Sequence, residues 1–251
     1  MAYTTITTAQ VADTTARLAT SHPGFTIGIN AGINQLYGDL SSPVVRPAFG
    51  LSIAYPLSRV VGLTLLGDLG TLRAQQAPFY NSVAKASYTQ AALGGSVNLT
   101  RLFQSDEKRK QIFSTNALSF YLALGLIFFD ATAYSLTNGQ IQRYTNGAGS
   151  HRTKADDITA TGKSGIASTH ELVIPVGLRY SKWLTTNLSL YGDLRYNVFN
   201  TDKLDATIDN DNTTVSTPGG GDIYGRPASR NSRDAWASLS IGIAYRFYRS
   251  H

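Results

Sequence analysis

Five charged residues sit where alternation places them on one face of an otherwise apolar stretch: Asp68, Glu171, Arg179, Asp193 and Arg195. In Leu190-Tyr191-Gly192-Asp193-Leu194-Arg195-Tyr196 the acid and the base are two apart. In an extended chain they therefore share the face opposite Leu190, Leu194 and Tyr196. Carboxylates and guanidiniums gathered this way can form a neutral polar plug or a path for ions or protons. An unpaired carboxylate in a confined interior is costly, so pairing with arginine is expected. If the segments on either side of 182 to 186 form a hairpin, Pro175 falls opposite Asp193 and Glu171 lies diagonal to Arg195. Arg46 is a further candidate for the same network.

Other reactive groupings are sparse. Ser168-Thr169-His170-Glu171 holds a hydroxyl and an imidazole two apart, the minimum for nucleophilic attack on a lipid ester. His170, however, shares a face with Leu172 while Glu171 points the other way, so no carboxylate orients the imidazole, and no enzymatic chemistry is expected. His22, His151 and His251 stand in a leader, a loop and a tail. Cysteine is absent, which removes disulfides, thiolate catalysis and Cys-ligated metal. No metal or cofactor is expected. Pro218-Gly219-Gly220-Gly221-Asp222 lacks the Lys-Ser or Lys-Thr that a phosphate-cradling loop needs. The net charge of +6 is spread over many turns, and the one dense run, Asp106-Glu107-Lys108-Arg109-Lys110, opens with two acids. That pattern argues against nucleic acid and leaves lipid phosphates as partners for basic loops.

The elements that would position these charges are strands. Period-two alternation predicts eight, near 24 to 33, 48 to 55, 60 to 73, 87 to 101, 118 to 135, 170 to 181, 187 to 201 and 234 to 247. One face of each carries Leu, Ile, Val, Phe or Tyr; the other carries Gly, Ala, Ser, Thr, Asn and the charges above, with Leu66 as an intruder. Connections after the second, fourth and sixth strands are mostly short. Those after the first, third, fifth and seventh are longer and polar, the longest near 136 to 169 and 202 to 233. Short turns at one rim and long loops at the other describe the two ends of a membrane barrel. Segment 102 to 117 is long for a turn and is expected to make an excursion on the short-turn side.

No stretch approaches about eighteen uninterrupted apolar residues, so a helical span is excluded, whereas a barrel escapes that test. A soluble eight-stranded barrel would need a charged exterior, and the polar faces here carry few Lys or Glu. The 23 glycines suit crowding inside a narrow cylinder, and the 14 tyrosines suit the border between hydrocarbon and water. The prediction is an all-β, eight-stranded antiparallel up-and-down transmembrane barrel over 24–247 with long extracellular loops. Residues 1–23 are expected to form a flexible or short-helical periplasmic leader, and 248–251 a tail. The opening residues carry no secretory signal, and the expected compartment is the bacterial outer membrane.

The last strand, Ser240-Ile241-Gly242-Ile243-Ala244-Tyr245-Arg246-Phe247, has the spacing of an outer-membrane assembly signal in Ser240, Gly242, Tyr245 and Phe247. Ile174-Pro175-Val176-Gly177-Leu178-Arg179-Tyr180, Asn187 to Tyr196 and Thr201-Asp202-Lys203-Leu204-Asp205 resemble the last three strands of OmpA-like barrels of the Bacteroidota, including the PorG-like proteins. The chain departs from that pattern at Lys203, where an aromatic is expected, and in its last four residues. The resemblance implies a small integral outer-membrane protein with a structural or accessory role. Asp202 and Asp205 are then expected to anchor a loop. Implied partners are outer-membrane lipid and lipopolysaccharide, the barrel-assembly machinery and other envelope proteins. A narrow pore or small-ligand carrier is the alternative, and a lipid-modifying enzyme a minor one. Tyr224, Arg226, Arg230, Arg233 and Trp236 form a candidate partner-contact patch, because Arg and aromatics favour interfaces. A solvated loop with a girdle tryptophan is the plainer reading of the same residues.

Overall fold

The computed structural model describes residues 22–38, 40, 42–77, 81–104, 116–145, 164–166, 170–199, 204–205, 215–216, 222–223 and 234–249. Eight long strands make a closed cylinder: β1 (His22–Tyr37), β3 (Arg46–Pro56), β4 (Val61–Gln76), β5 (Ser82–Asn98), β6 (Asn116–Ser135), β9 (His170–Trp183), β10 (Leu188–Phe199) and β13 (Ala235–Arg249). Each pairs antiparallel with the next, and β13 pairs with β1 from His22↔Arg249 to Tyr37↔Ala235, which removes both edges. Short strands decorate one rim. β2 (Ser42–Val44) pairs with β4, β7 (Ile141–Thr145) with β6, and β8 (Ser164–Ile166) runs parallel to β7. β11 (Val215–Ser216) and β12 (Asp222–Ile223) pair with each other.

The wall formed by β4, β5 and β6 shows how the sequence builds the cylinder. Its outward residues form five successive cross-strand rows: Val61–Val97–Phe120, Leu63–Gly95–Leu122, Leu65–Leu93–Leu124, Gly67–Ala91–Leu126 and Leu69–Thr89–Phe128. Most of these side chains are exposed in the isolated chain, including Leu65, Leu93, Leu124 and Phe128. Val61 to Leu69 is about the length that crosses hydrocarbon when tilted. Above it the outside turns polar, with Thr71–Ser87–Asp130 and then Arg73–Lys85–Thr132. The inside changes in the opposite sense. Small or polar groups such as Thr64, Gly94 and Gln90 give way upward to Leu72–Ala86–Ala131 and Ala74–Ala84–Ala133. These strands are therefore a membrane wall below and a water-facing sheet over an apolar core above.

Aromatic side chains mark both borders of the apolar belt. At the short-turn rim Phe25 stacks on Phe247 at 4.7 Å, and Phe247 meets Tyr245 edge-on at 4.9 Å. At the opposite rim Tyr37 lies 6.3 Å from Tyr196. Rings at these two levels are the girdles expected of a barrel in a bilayer.

The boundaries differ from the predicted ones at both rims. β5 begins at Ser82, so only residues 77–81 separate it from β4, a shorter connection than expected. At its other end β5 stops at Asn98, because the Asn98 side chain accepts a hydrogen bond from the Arg101 amide at 3.0 Å and caps the four-residue helix α1 (Leu99–Leu102). Residues 99–101 are thus helical, not strand. β1 likewise runs on to Tyr37 and β9 to Trp183. Residues 1–21, 105–115 and 250–251 lie outside the described residues, whereas 22 and 23, expected in the leader, open β1, and 248 and 249, expected in the tail, close β13.

Candidate functional site

The lumen is filled at two levels, and the lower one is ionic. Alternation turns Asp68, Arg179, Asp193 and Arg195 inward from β4, β9 and β10, where they meet. Arg179 Nε donates to Asp193 Oδ2 at 2.8 Å, and Arg195 Nη2 lies 3.4 Å from Asp193 Oδ1. Arg195 Nη1 pairs with Asp68 Oδ2. Two acids and two bases make the cluster neutral, which a narrow lumen requires.

Tyrosines hold this cluster together. The Tyr121 hydroxyl donates to Asp193 Oδ1 at 2.7 Å and accepts from Arg195 Nε at 2.8 Å. Arg179 donates through Nη1 to Ser52 Oγ at 3.1 Å, and its guanidinium sits 4.5 Å from the centre of the Tyr191 ring. Asn30 in turn donates to the Tyr191 hydroxyl at 3.1 Å. Room for the rings comes from glycine directly across the ladder. Tyr121 faces Gly177 and Tyr191 faces Gly242. A Cβ at 177 would stand 2.3 Å from Tyr121 Cζ, and one at 242 would stand 2.5 Å from Tyr191 Cζ.

Above the ions lies an amide layer. Asn34 donates to the Tyr88 hydroxyl at 2.7 Å and Gln90 to Asn197 Oδ1 at 3.3 Å. These residues border a cavity of about 10 Å³, room for about one water. Higher still, Trp236 packs on Tyr88 with ring centres 5.2 Å apart, among Leu36, Leu40, Leu72, Ile127, Phe129 and Leu204. Leu204 belongs to the long connection between β10 and β13. Asp234, fully buried at the root of β13, accepts hydrogen bonds at Oδ2 from the amides of Leu204 at 2.6 Å and Asp205 at 3.3 Å. Leu204 and Asp205 are thereby pinned at the mouth of the cylinder.

The expected pairing of β9 with β10 is corrected. Arg179, not Pro175, stands opposite Asp193, and Gly177 stands opposite Arg195. The reason is the turn: Leu184 and Thr185 amides both donate to Leu188 O, at 2.8 and 3.2 Å, which centres the hairpin two residues later than 182 to 186. Glu171 points inward but sits eight residues up β9 from Arg179, opposite Ile127, and is not part of the ionic cluster. Arg46 is half-buried opposite Asn34 and also stays outside it. Trp236 is buried inside the cylinder, so it neither joins a partner-contact patch nor forms part of an outer girdle. Tyr224, Arg226, Arg230 and Arg233 lie outside the described residues, as do Asp202, Lys203, Ser168 and Thr169. His170 is exposed on the outer face with its ring 6.2 Å from Phe128. In the last strand Ser240 and Gly242 face inward while Tyr245 and Phe247 face outward. Among the described residues no group of three or more His, Cys, Asp or Glu could hold a metal ion. Tyr121 and Tyr191 are the lumen residues that charge alone did not single out. A large inward aromatic on one strand and an inward glycine on its neighbour are the sequence signal for them.

The chain matches no protein-family model, and no curated protein matches it in sequence. Among solved structures it is similar to Neisserial surface protein A at 14% identity, covering 89% of this chain and 97% of that one with a TM-score of 0.47. It is similar to Ail, the attachment invasion locus protein of Yersinia pestis, at 13% identity over 90% and 100% with a TM-score of 0.44. It is also similar to the outer membrane protein OprG of Pseudomonas aeruginosa, at 11% identity over 90% and 97% with a TM-score of 0.45.

Proposed function

We propose that this chain is a closed, non-conducting barrel of the bacterial outer membrane with a structural or accessory role, without enzymatic chemistry, akin to the OmpA-like barrels of the Bacteroidota. The observation that carries the reading is the double seal of the lumen beneath a belt of outward Leu, Ile and Phe. An ionic cluster blocks the lower half, and Trp236, Leu204 and their neighbours block the upper half. Among the described residues these two layers fill the middle of the cylinder, which favours a sealed barrel over the pore and carrier alternatives. The outward belt supports a membrane setting, because a soluble barrel would not leave Leu124, Leu194 and Ile241 more than half exposed.

What remains for function is the exterior. The tall β4–β5–β6 wall is the surface we read as offered to envelope partners, with Tyr224, Arg226, Arg230 and Arg233 kept as candidates from the sequence alone. Mild cross-linking at native expression level, followed by purification and identification of co-migrating proteins, tests this. Reproducible envelope partners are expected; a barrel recovered alone overturns the accessory role.

A further inference from the structure

The outside of the tall wall carries a second candidate site. Arg73 of β4 and Lys85 of β5 are direct cross-strand neighbours on the outward face, in the second row above the last apolar one. Like charges placed opposite each other destabilise a sheet unless something neutralises them. The outward neighbours Thr71, Gln75, Ser87 and Thr132 are uncharged, so the pair is not part of a generally basic surface. Asp130 is the acid on this face, one row lower and diagonal to Lys85. Among the described residues neither Arg73 nor Lys85 belongs to an ion pair. The Lys85 ammonium is held 5.0 Å from the centre of the Tyr134 ring, which orients it over the wall. Arg73 is half-buried, and its Nε is enclosed without a hydrogen-bond acceptor. A fork of donors and a point charge side by side match the oxygens of a phosphate.

Height decides which phosphate. Four residues separate Leu69 from Arg73, which on a tilted strand is about 10 Å along the membrane normal. That distance places the pair in the polar layer bordering the hydrocarbon, at the long-loop rim. We infer that Arg73 and Lys85 form a binding site for the phosphate of an outer-leaflet lipid, a phosphorylated saccharolipid whose acyl chains lie against the belt below. This rests on the membrane reading above. A lipid held beside the wall by its chains presents its phosphate at high effective concentration, an advantage that a free anion lacks at an open surface.

The test refolds the whole chain into phosphatidylcholine vesicles containing a minor fraction of bisphosphorylated lipid A or its dephosphorylated form. Co-retained lipid is then measured by native mass spectrometry after gentle extraction. The wild type is expected to retain the phosphorylated form preferentially. Arg73→Ala with Lys85→Ala should lose that preference by roughly fivefold per charge removed, and Arg73→Lys should keep most of it. Lys85→Gln, a single exposed change, reads the same effect at half strength if the double variant folds poorly. An inserted wild type with no preference, or variants that keep it, overturns the site while leaving the membrane reading intact. Displacement by inorganic phosphate as readily as by lipid overturns the lipid as occupant. Failure of the wild type to enter any vesicle overturns the membrane reading and the site together.

Discussion

Asp193 is the residue on which the lumen turns, because one carboxylate serves Arg179, Arg195 and the Tyr121 hydroxyl. Replacing it with Asn leaves two guanidiniums facing Asp68 alone. Breaking a buried ion pair from one side costs about 3–5 kcal/mol, far more than an exposed pair is worth. A correspondingly lower denaturant midpoint in detergent is expected, and Asp193→Asn with Arg179→Gln should recover part of the loss by restoring neutrality. A midpoint unchanged in the single variant would show the cluster to be solvated. Gly177→Ala tests the same packing by volume. Its methyl would meet the Tyr121 ring head-on, so a loss of about 1–3 kcal/mol is expected from overpacking. The membership of the cluster was legible from charge and alternation, since Asp68, Arg179, Asp193 and Arg195 all fall on inward positions. Its pairing was not. Partner identity depends on where a four-residue turn is centred, and moving Leu184–Asn187 by two residues exchanges Pro175 for Arg179.

At the scale of the element, the inversion along β4, β5 and β6 explains both what alternation reveals and where it misleads. Below residue 70 apolar side chains mark the outside; above it Leu72 and Ala74 mark the inside. A search for one phase of alternation therefore finds the membrane half of each strand and ends it early, as at the start of β5. The inversion makes opposite predictions for one substitution at two heights. Leu124→Lys, in the middle row of the belt, should destabilise the folded barrel by about 2–4 kcal/mol in vesicles. Ser87→Lys, above the belt on the neighbouring strand, should change stability by less than about 1 kcal/mol. Equal costs in guanidinium titrations would mean that hydrocarbon does not stop where the rows turn polar. Asp234 gives the test for the pinning of Leu204 and Asp205. Asp234→Ala removes the acceptor for two buried amides, at about 1–3 kcal/mol, and should hasten proteolysis between 200 and 234 before any loss of the barrel itself. The role of Asp234 could not be read from the sequence, because it depends on an amide thirty residues away in the chain.

For the molecule as a whole, the two seals make a conductance prediction with internal structure. An ion crossing this cylinder must pass guanidiniums and carboxylates that already satisfy one another, and then a packed apolar layer centred on Trp236 and Leu204. The layers differ in kind: one is electrostatic and the other is packed apolar surface, and among the described residues Asn34, Gln90, Asn197 and Tyr88 lie between them. Neutralising all four charges, with Asp68→Asn, Asp193→Asn, Arg179→Gln and Arg195→Gln, should leave the upper layer shut. Planar-bilayer recordings of the wild type and of that variant should both lack discrete, long-lived steps. Opening should require the upper layer to be lost as well, for instance by Trp236→Ala and Leu204→Ser in the neutralised background. Stable steps from the wild type would mean that the interior rearranges in a membrane, and the reading of a sealed accessory barrel would give way to that of a narrow pore.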